Sequence, residues 1–140
     1  MNINRLNNII KNSAFYGEDI VIRSATSREM VDESIKNGKK SGFERAKTSD
    51  IIATFLGEIA GFVLRDISIN GIFITGGDTA IKTIQNLNVS GTIIEDEILP
   101  GIPYGHFIDD RFRDITVVTK AGGFGEDDTI IKVLDFLKNR

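Results

Sequence analysis

Apolar and polar positions change period several times along the chain, and each change marks an element. Asp19-Ile20-Val21-Ile22-Arg23 sets three β-branched residues between charges and predicts a short strand. Thr26-Ser27-Arg28-Glu29 fits a capping box that opens a helix ending near Asn37-Gly38. The polar stretch from Lys39 to Lys47 is either the end of that helix or a loop. Ile51, Ile52, Phe55, Leu56, Ile59, Phe62 and Val63 then recur at helical spacing, with Thr48, Ser49 or Asp50 as the cap. Gly57 and Gly61 lie one turn apart in this helix. They permit close approach of another backbone, at about 1 kcal/mol each in helix propensity.

Gly71–Thr75 predicts a strand and Thr79–Leu87 a short helix, with Ala80, Ile81, Ile84 and Leu87 on one stripe. Gly91–Ile94 reads as a strand that enters the acidic run Glu95-Asp96-Glu97. Two prolines and two glycines in Pro100–Gly105 predict irregular structure. Ile115–Thr119 is the last strand. Asp127 and Asp128 favour a helix start, Ile130, Ile131 and Leu134 form its stripe, and Lys138 and Arg140 suit its C-terminal dipole. Strands alternating with helices predict an α/β layered fold, with a mainly parallel sheet flanked by helices. Without internal repeats or a low-complexity linker, residues 1–140 are expected to form one domain.

Composition removes several classes of chemistry. The chain has no cysteine, which excludes disulfides, thiolate metal sites and thiol nucleophiles, and its one histidine excludes a multi-histidine metal site. A net charge of −3 gives no global basic field for nucleic acid or an anionic membrane, so neither is an expected partner. No apolar run is long enough to span a bilayer, and asparagine-rich Met1–Lys11 lacks the core of a secretory signal. A cytoplasmic protein is expected.

Two glycine-rich turns carry the chemistry. Ile72–Thr75 runs into Gly76-Gly77-Asp78-Thr79-Ala80, and Ile115–Thr119 runs into Lys120-Ala121-Gly122-Gly123-Phe124-Gly125. A strand, a glycine turn and a helix start make an anion site, because glycine lets backbone N–H groups approach a phosphate. Two such turns predict two loops closing on one polyphosphate beyond the carboxyl ends of the strands. The first is not a P-loop, since no Lys-Ser/Thr pair closes it. The second contains a broken GxGxxG with Asp128 in the last place, which argues against a dinucleotide fingerprint.

Thr75–Ala80, then Glu97-Ile98-Leu99-Pro100-Gly101-Ile102-Pro103-Tyr104-Gly105, then Val118–Gly125 closely resemble, in order and spacing, the C-terminal nucleotide-binding domain of the four-carbon acid sugar kinases. That family includes D-threonate, D-erythronate and 3-oxo-tetronate kinases. The resemblance implies a two-domain kinase in which an N-terminal domain binds the sugar acid, a C-terminal domain binds ATP with Mg²⁺, and the γ-phosphate crosses between them. It carries ATP-binding segments onto Gly76, Gly77, Asp78 and Thr79, and onto Gly122 and Gly123. The chain shows no counterpart of the substrate domain or of the family's opening Gly-Ser motif. It is expected to be one part of such a kinase, binding nucleotide weakly alone and transferring phosphate to nothing. A separate substrate-binding domain or a second copy is the expected partner. A stand-alone module that binds a nucleotide or phosphate metabolite is the alternative.

Within the turns, the N–H groups of Gly77 and Asp78 are expected to face phosphate, with the Thr79 hydroxyl as a further donor. A β-branched residue at Gly77 is expected to block the ligand by bulk and through any positive φ the turn requires. Asp78 reads first as a helix cap and second as a magnesium ligand through water. Lys120 neutralises phosphate charge or stays a solvated lysine, and Gly125 completes the loop. Phe124 lies against a base or plugs the core. Pro100–Gly105 is a wall for adenine and ribose, or a stiff connection. Glu97 coordinates metal or makes a structural hydrogen bond, His106 reads as structural or surface, and Arg111 is a weak phosphate candidate.

Overall fold

A computed structural model describes residues 3–140, so Met1 and Asn2 of the asparagine-rich start lie outside the described residues. The elements are α1 (Ile3–Phe15), α2 (Arg28–Lys40), α3 (Arg45–Asp66), β1 (Gly71–Thr75), α4 (Gly77–Leu87), β2 (Thr92–Leu99), β3 (Ile102–Phe107), β4 (Thr116–Lys120) and α5 (Thr129–Lys138). A 3-10 turn at Asp110–Phe112 lies between β3 and β4.

The four strands form one sheet in the order β1-β4-β3-β2. Only β1 and β4 run parallel; β3 is antiparallel to both β4 and β2. The α/β class holds, but the sheet is mixed rather than mainly parallel. The reason is connection length. Pro100-Gly101 is a two-residue hairpin turn with Gly101 at φ +76°, and such a turn joins only antiparallel strands. The link from β3 to β4 holds no crossover helix either.

The same hairpin corrects the reading of Pro100–Gly105 as irregular, since Ile102–Phe107 is a strand. Pro103 is tolerated because the β3–β4 ladder begins only at Tyr104, and the β2 side carries a register shift between Glu97 and Leu99. Asp19–Arg23 forms no strand and pairs with none, so its alternation did not by itself make a ladder. Ser27, rather than Thr26, caps α2 by accepting from the Met30 N–H. α3 starts three residues ahead of Thr48, whose hydroxyl donates to the Glu44 carbonyl from inside the helix.

The two sheet faces carry separate cores. Val117 faces Leu64 of α3, Leu87 of α4, Phe107 and Phe112; its neighbour Val118 faces Ile102 and Val133 of α5. α3 and α4 share the first face and touch closely. A Cβ at Gly57 would meet the Lys82 backbone at 2.7 Å, and one at Gly61 would meet Asn86 Oδ1 at 2.0 Å. The glycine pair therefore does what its spacing predicted.

Candidate functional site

β1 and β4 are parallel, so the turns that follow them emerge at one end of the sheet. They are joined there: the Gly76 N–H donates to the Lys120 carbonyl at 2.9 Å. Gly76 has φ +98°, a conformation that disfavours any side chain, and it serves as the N-cap of α4. The positive φ thus falls at Gly76 and not at Gly77.

α4 has no side-chain cap, which leaves the first-turn N–H groups of Gly77, Asp78 and Thr79 without an intrahelical acceptor. Asp78 is exposed in that first turn and does not cap it, which corrects its first-choice role. Thr79 Oγ1 stands beside Gly76, 3.6 Å from where a Cβ would be. A Cβ on Gly77 would meet nothing within 4 Å, so the backbone there is open to a ligand.

The second loop is held by Lys120. Its Nζ donates to the carbonyls of Ala121 at 3.2 Å and Phe124 at 2.8 Å, folding the ammonium over the loop it precedes. Gly122 and Gly123 are exposed with open space at the Cβ position. Gly125 is different: at φ +89° a Cβ there would sit 2.7 Å from Thr129 Oγ1 and 3.3 Å from Lys120 Cδ. Thr129 Oγ1 accepts the Glu126 N–H at 2.7 Å, which pins the loop to the start of α5. Phe124 neither plugs the core nor stands free. It is 55% exposed, and its ring lies over Gly101, bringing the β2–β3 hairpin turn to this end.

Sequence reasoning missed a third wall. Ala46, Ser49 and Asp50 of α3 meet Asp78, Ile81 and Lys82 of α4 around a cavity of about 380 Å³ beside the first turn. Lys82 Nζ lies 2.7 Å from Asp50 and holds its carboxyl below the usual range, with Lys47 adding to the effect. Asp50 and Lys82 are 32 residues apart in the chain, so no local pattern announces the pairing. α3 and α5, like α4, start without a side-chain cap, whereas α2 has one. Three uncapped helix N-termini therefore border one end of the sheet, a favourable field for anions.

The larger cavity, about 440 Å³, is at the opposite end and includes Glu95, His106, Arg113 and Arg140. There His106 Nδ1 lies 2.9 Å from Glu95 Oε1, and Arg140 pairs with Glu95 Oε2. These two partners, His106 first, lower the Glu95 carboxyl below its usual value. Arg111 is likewise far from the glycine turns, bound to Asp109 and reaching the Leu87 carbonyl at the end of α4. Glu97 is exposed in β2. Among the described residues no three His, Cys, Asp or Glu side chains gather as a metal site, and no helix is long and apolar enough to cross a membrane.

The family described as "Nucleotide-binding C-terminal domain" matches residues 2–130. The chain is 33% identical over 116 residues to the D-threonate kinase of Salmonella typhimurium, covering 83% of this chain and 27% of that protein. It is 36% identical over 92 residues to the D-threonate kinase of Bordetella bronchiseptica, covering 66% and 23%. It thus spans about a quarter of the length of these curated relatives. Among solved structures, a Bordetella bronchiseptica domain of unknown function, a domain-swapped dimer with bound citrate, superposes with a TM-score of 0.67 at 25% identity, covering 98% of this chain and 31% of that one. A Haemophilus influenzae protein shares the fold with a TM-score of 0.69 at 16% identity, covering 94% and 31%.

Proposed function

The chain belongs to the nucleotide-binding C-terminal domain family of the four-carbon acid sugar kinases, and from that premise we propose that it binds the phosphates of ATP between its two glycine turns. The observation that carries this reading is the coincidence, at one end of the sheet, of three uncapped helix N-termini with the open glycines Gly77, Gly122 and Gly123. Backbone N–H groups approach phosphate oxygens most closely where no Cβ intervenes. In this arrangement Gly77, Asp78 and Thr79 donate to one part of the polyphosphate, and Gly122 and Gly123 to another. Lys120 exchanges loop carbonyls for phosphate oxygens. Gly76 and Gly125 shape the two turns without touching the ligand.

The donor set also fits Mg²⁺ in a limited way. Magnesium keeps several waters and takes one or two carboxylates with the substrate phosphates, and exposed Asp78 supplies one such carboxylate. When bound, the ion neutralises phosphate charge. The parent reaction on this reading passes the γ-phosphoryl group of ATP to a hydroxyl of a four-carbon sugar acid held by another domain, leaving ADP. The swapped dimer of the Bordetella protein supports a second copy as a further partner.

Calorimetric titration with a non-hydrolysable ATP analogue and Mg²⁺, with NAD as control, tests the reading. Saturable binding of the analogue alone, lost in a folded Gly77→Val variant, is the expected result. Unchanged binding by that variant rules out the first turn as the phosphate cradle, and no binding by the parent chain rules out the site.

A further inference from the structure

Asparagine followed by glycine is the dipeptide most prone to spontaneous deamidation, because no side chain on the second residue shields its amide nitrogen. The chain has this pair twice, at Asn37-Gly38 and at Asn70-Gly71. The fold treats the two differently. Gly38 lies inside α2, where the helical ladder engages its N–H. Asn70 is an exposed residue in a bend, immediately before β1, and it lines the cavity of about 440 Å³. No protein hydrogen bond holds its carboxamide, whereas those of Asn86 and Asn139 are engaged.

The register of the sheet leaves the neighbouring amide free as well. β4 engages alternate residues of β1: the Thr116 N–H donates to the Asn70 carbonyl at 3.0 Å, and the Gly76 N–H to the Lys120 carbonyl at 2.9 Å. Strand alternation therefore turns the residues between them, Gly71 first, away from β4. Among the described residues no acceptor meets the Gly71 N–H. The Thr116 bond falls on the carbonyl of the same peptide unit, and it stabilises the amide anion formed when that N–H loses its proton. Packing retains glycine here, since a Cβ at residue 71 would stand 2.5 Å from Leu137 Cδ2 and 3.1 Å from the Thr116 carbonyl oxygen.

We propose that Asn70-Gly71 is a site of self-modification, which converts residue 70 to aspartate and isoaspartate. The Gly71 nitrogen bonds to Asn70 Cγ, the Cγ–Nδ2 bond breaks, and ammonia leaves with the amide proton, forming a succinimide. Water then opens the ring. Attack at Cγ gives aspartate, and attack at the α-carbonyl gives isoaspartate, with the chain rerouted through the side chain. Either product adds a carboxylate to a cavity that Arg113 and Arg140 help to line. Isoaspartate also inserts a methylene into the backbone and removes from it the carbonyl that the Thr116 N–H holds. The change falls at the root of the strand that leads into the first glycine turn. It does not rest on the nucleotide reading, because the reactive pair exists whatever binds at the other end.

Peptide mass spectrometry of the full chain, aged in mildly alkaline water enriched in heavy oxygen, tests this. Oxygen uptake at Asn70 is expected to be at least about tenfold faster than at Asn37, because Gly38 reacts only after its helical turn opens. Fragmentation that distinguishes a rerouted chain is expected to show isoaspartate beside aspartate at residue 70. A rate at Asn70 no higher than at Asn37 overturns the proposal. So does aspartate alone, which marks direct hydrolysis in place of attack by the Gly71 nitrogen. The preference is expected to vanish in denaturant; the same preference there assigns it to flanking residues and overturns the structural argument. Amide exchange reads the effect on the sheet. In the isoaspartate form the Thr116 amide is expected to exchange faster than in an Asn70→Asp variant, which carries the charge without the added backbone atom. Equal rates overturn the effect on β1.

Discussion

The two ends of the sheet hold their polar groups in opposite ways. At the glycine-turn end the donors are backbone N–H groups at three helix starts, with no side chain capping them. At the other end the polar groups are side chains, and they satisfy one another: Glu95 with His106 and Arg140, and Asp109 with Arg111. The larger of the two cavities lies at that second end, yet its Glu95, His106, Arg113 and Arg140 are already in ion pairs. A ligand entering it must break ion pairs, whereas a phosphate at the first end meets donors with no competing acceptor. Cavity size and binding capacity are separable here, and unspent hydrogen-bonding capacity is the better guide.

The contrast is most sharply broken at Gly76. Gly76→Val forces a β-branched residue to φ +98° and is expected to cost about 1–3 kcal/mol of stability. Loss of nucleotide binding accompanies it, and thermal melts with calorimetry check both. Next in size is Lys120→Met, which removes a charged donor worth about 1.5–3 kcal/mol, or roughly ten- to a hundredfold in Kd. Because Lys120 also fastens its own loop to the Ala121 and Phe124 carbonyls, faster exchange of the 121–125 amides is expected with it. His106→Ala should leave nucleotide affinity unchanged within about twofold, about 0.4 kcal/mol. A larger loss in a titration would tie the two ends together.

The smallest effect is on the acid limb of stability. The Arg111 side chain, and then its backbone N–H, lower the Asp109 pKa from 3.8 to about 2. A folded-state pKa below the unfolded one gives stability that is present above pH 3.8 and lost as pH falls toward about 2. Asp109→Asn is therefore expected to flatten the stability profile across that window and nowhere above it. A melting series from pH 5 to about 2 measures the difference.

Helical spacing and the glycine turns were legible because their signals are local. Ile51–Val63 and Ala80–Leu87 announce α3 and α4, and glycine before a helix start announces the loops. Strand pairing was not local. Nothing in Ile20–Ile22 says whether a ladder accepts it, and nothing in Pro103 says that its missing N–H falls where no β4 partner waits. At the site, the open glycines were visible but their division of labour was not. Gly76 and Gly125 differ from Gly77, Gly122 and Gly123 only in φ and in what a Cβ would meet. Asp50 and Lys82 are joined only by helix packing, so the wall they build had no signature in either helix alone.

The contact of Gly57 with the Lys82 backbone bears on how genetic screens of this protein will read. One added methyl at residue 57 displaces α4, and with it the amides of Gly77, Asp78 and Thr79 at its start. A survey scored on ligand binding would then rank Gly57 beside the turn glycines, although it faces no ligand. Such a survey, scored in parallel for abundance, would separate residues that hold the helix in place from residues that meet phosphate.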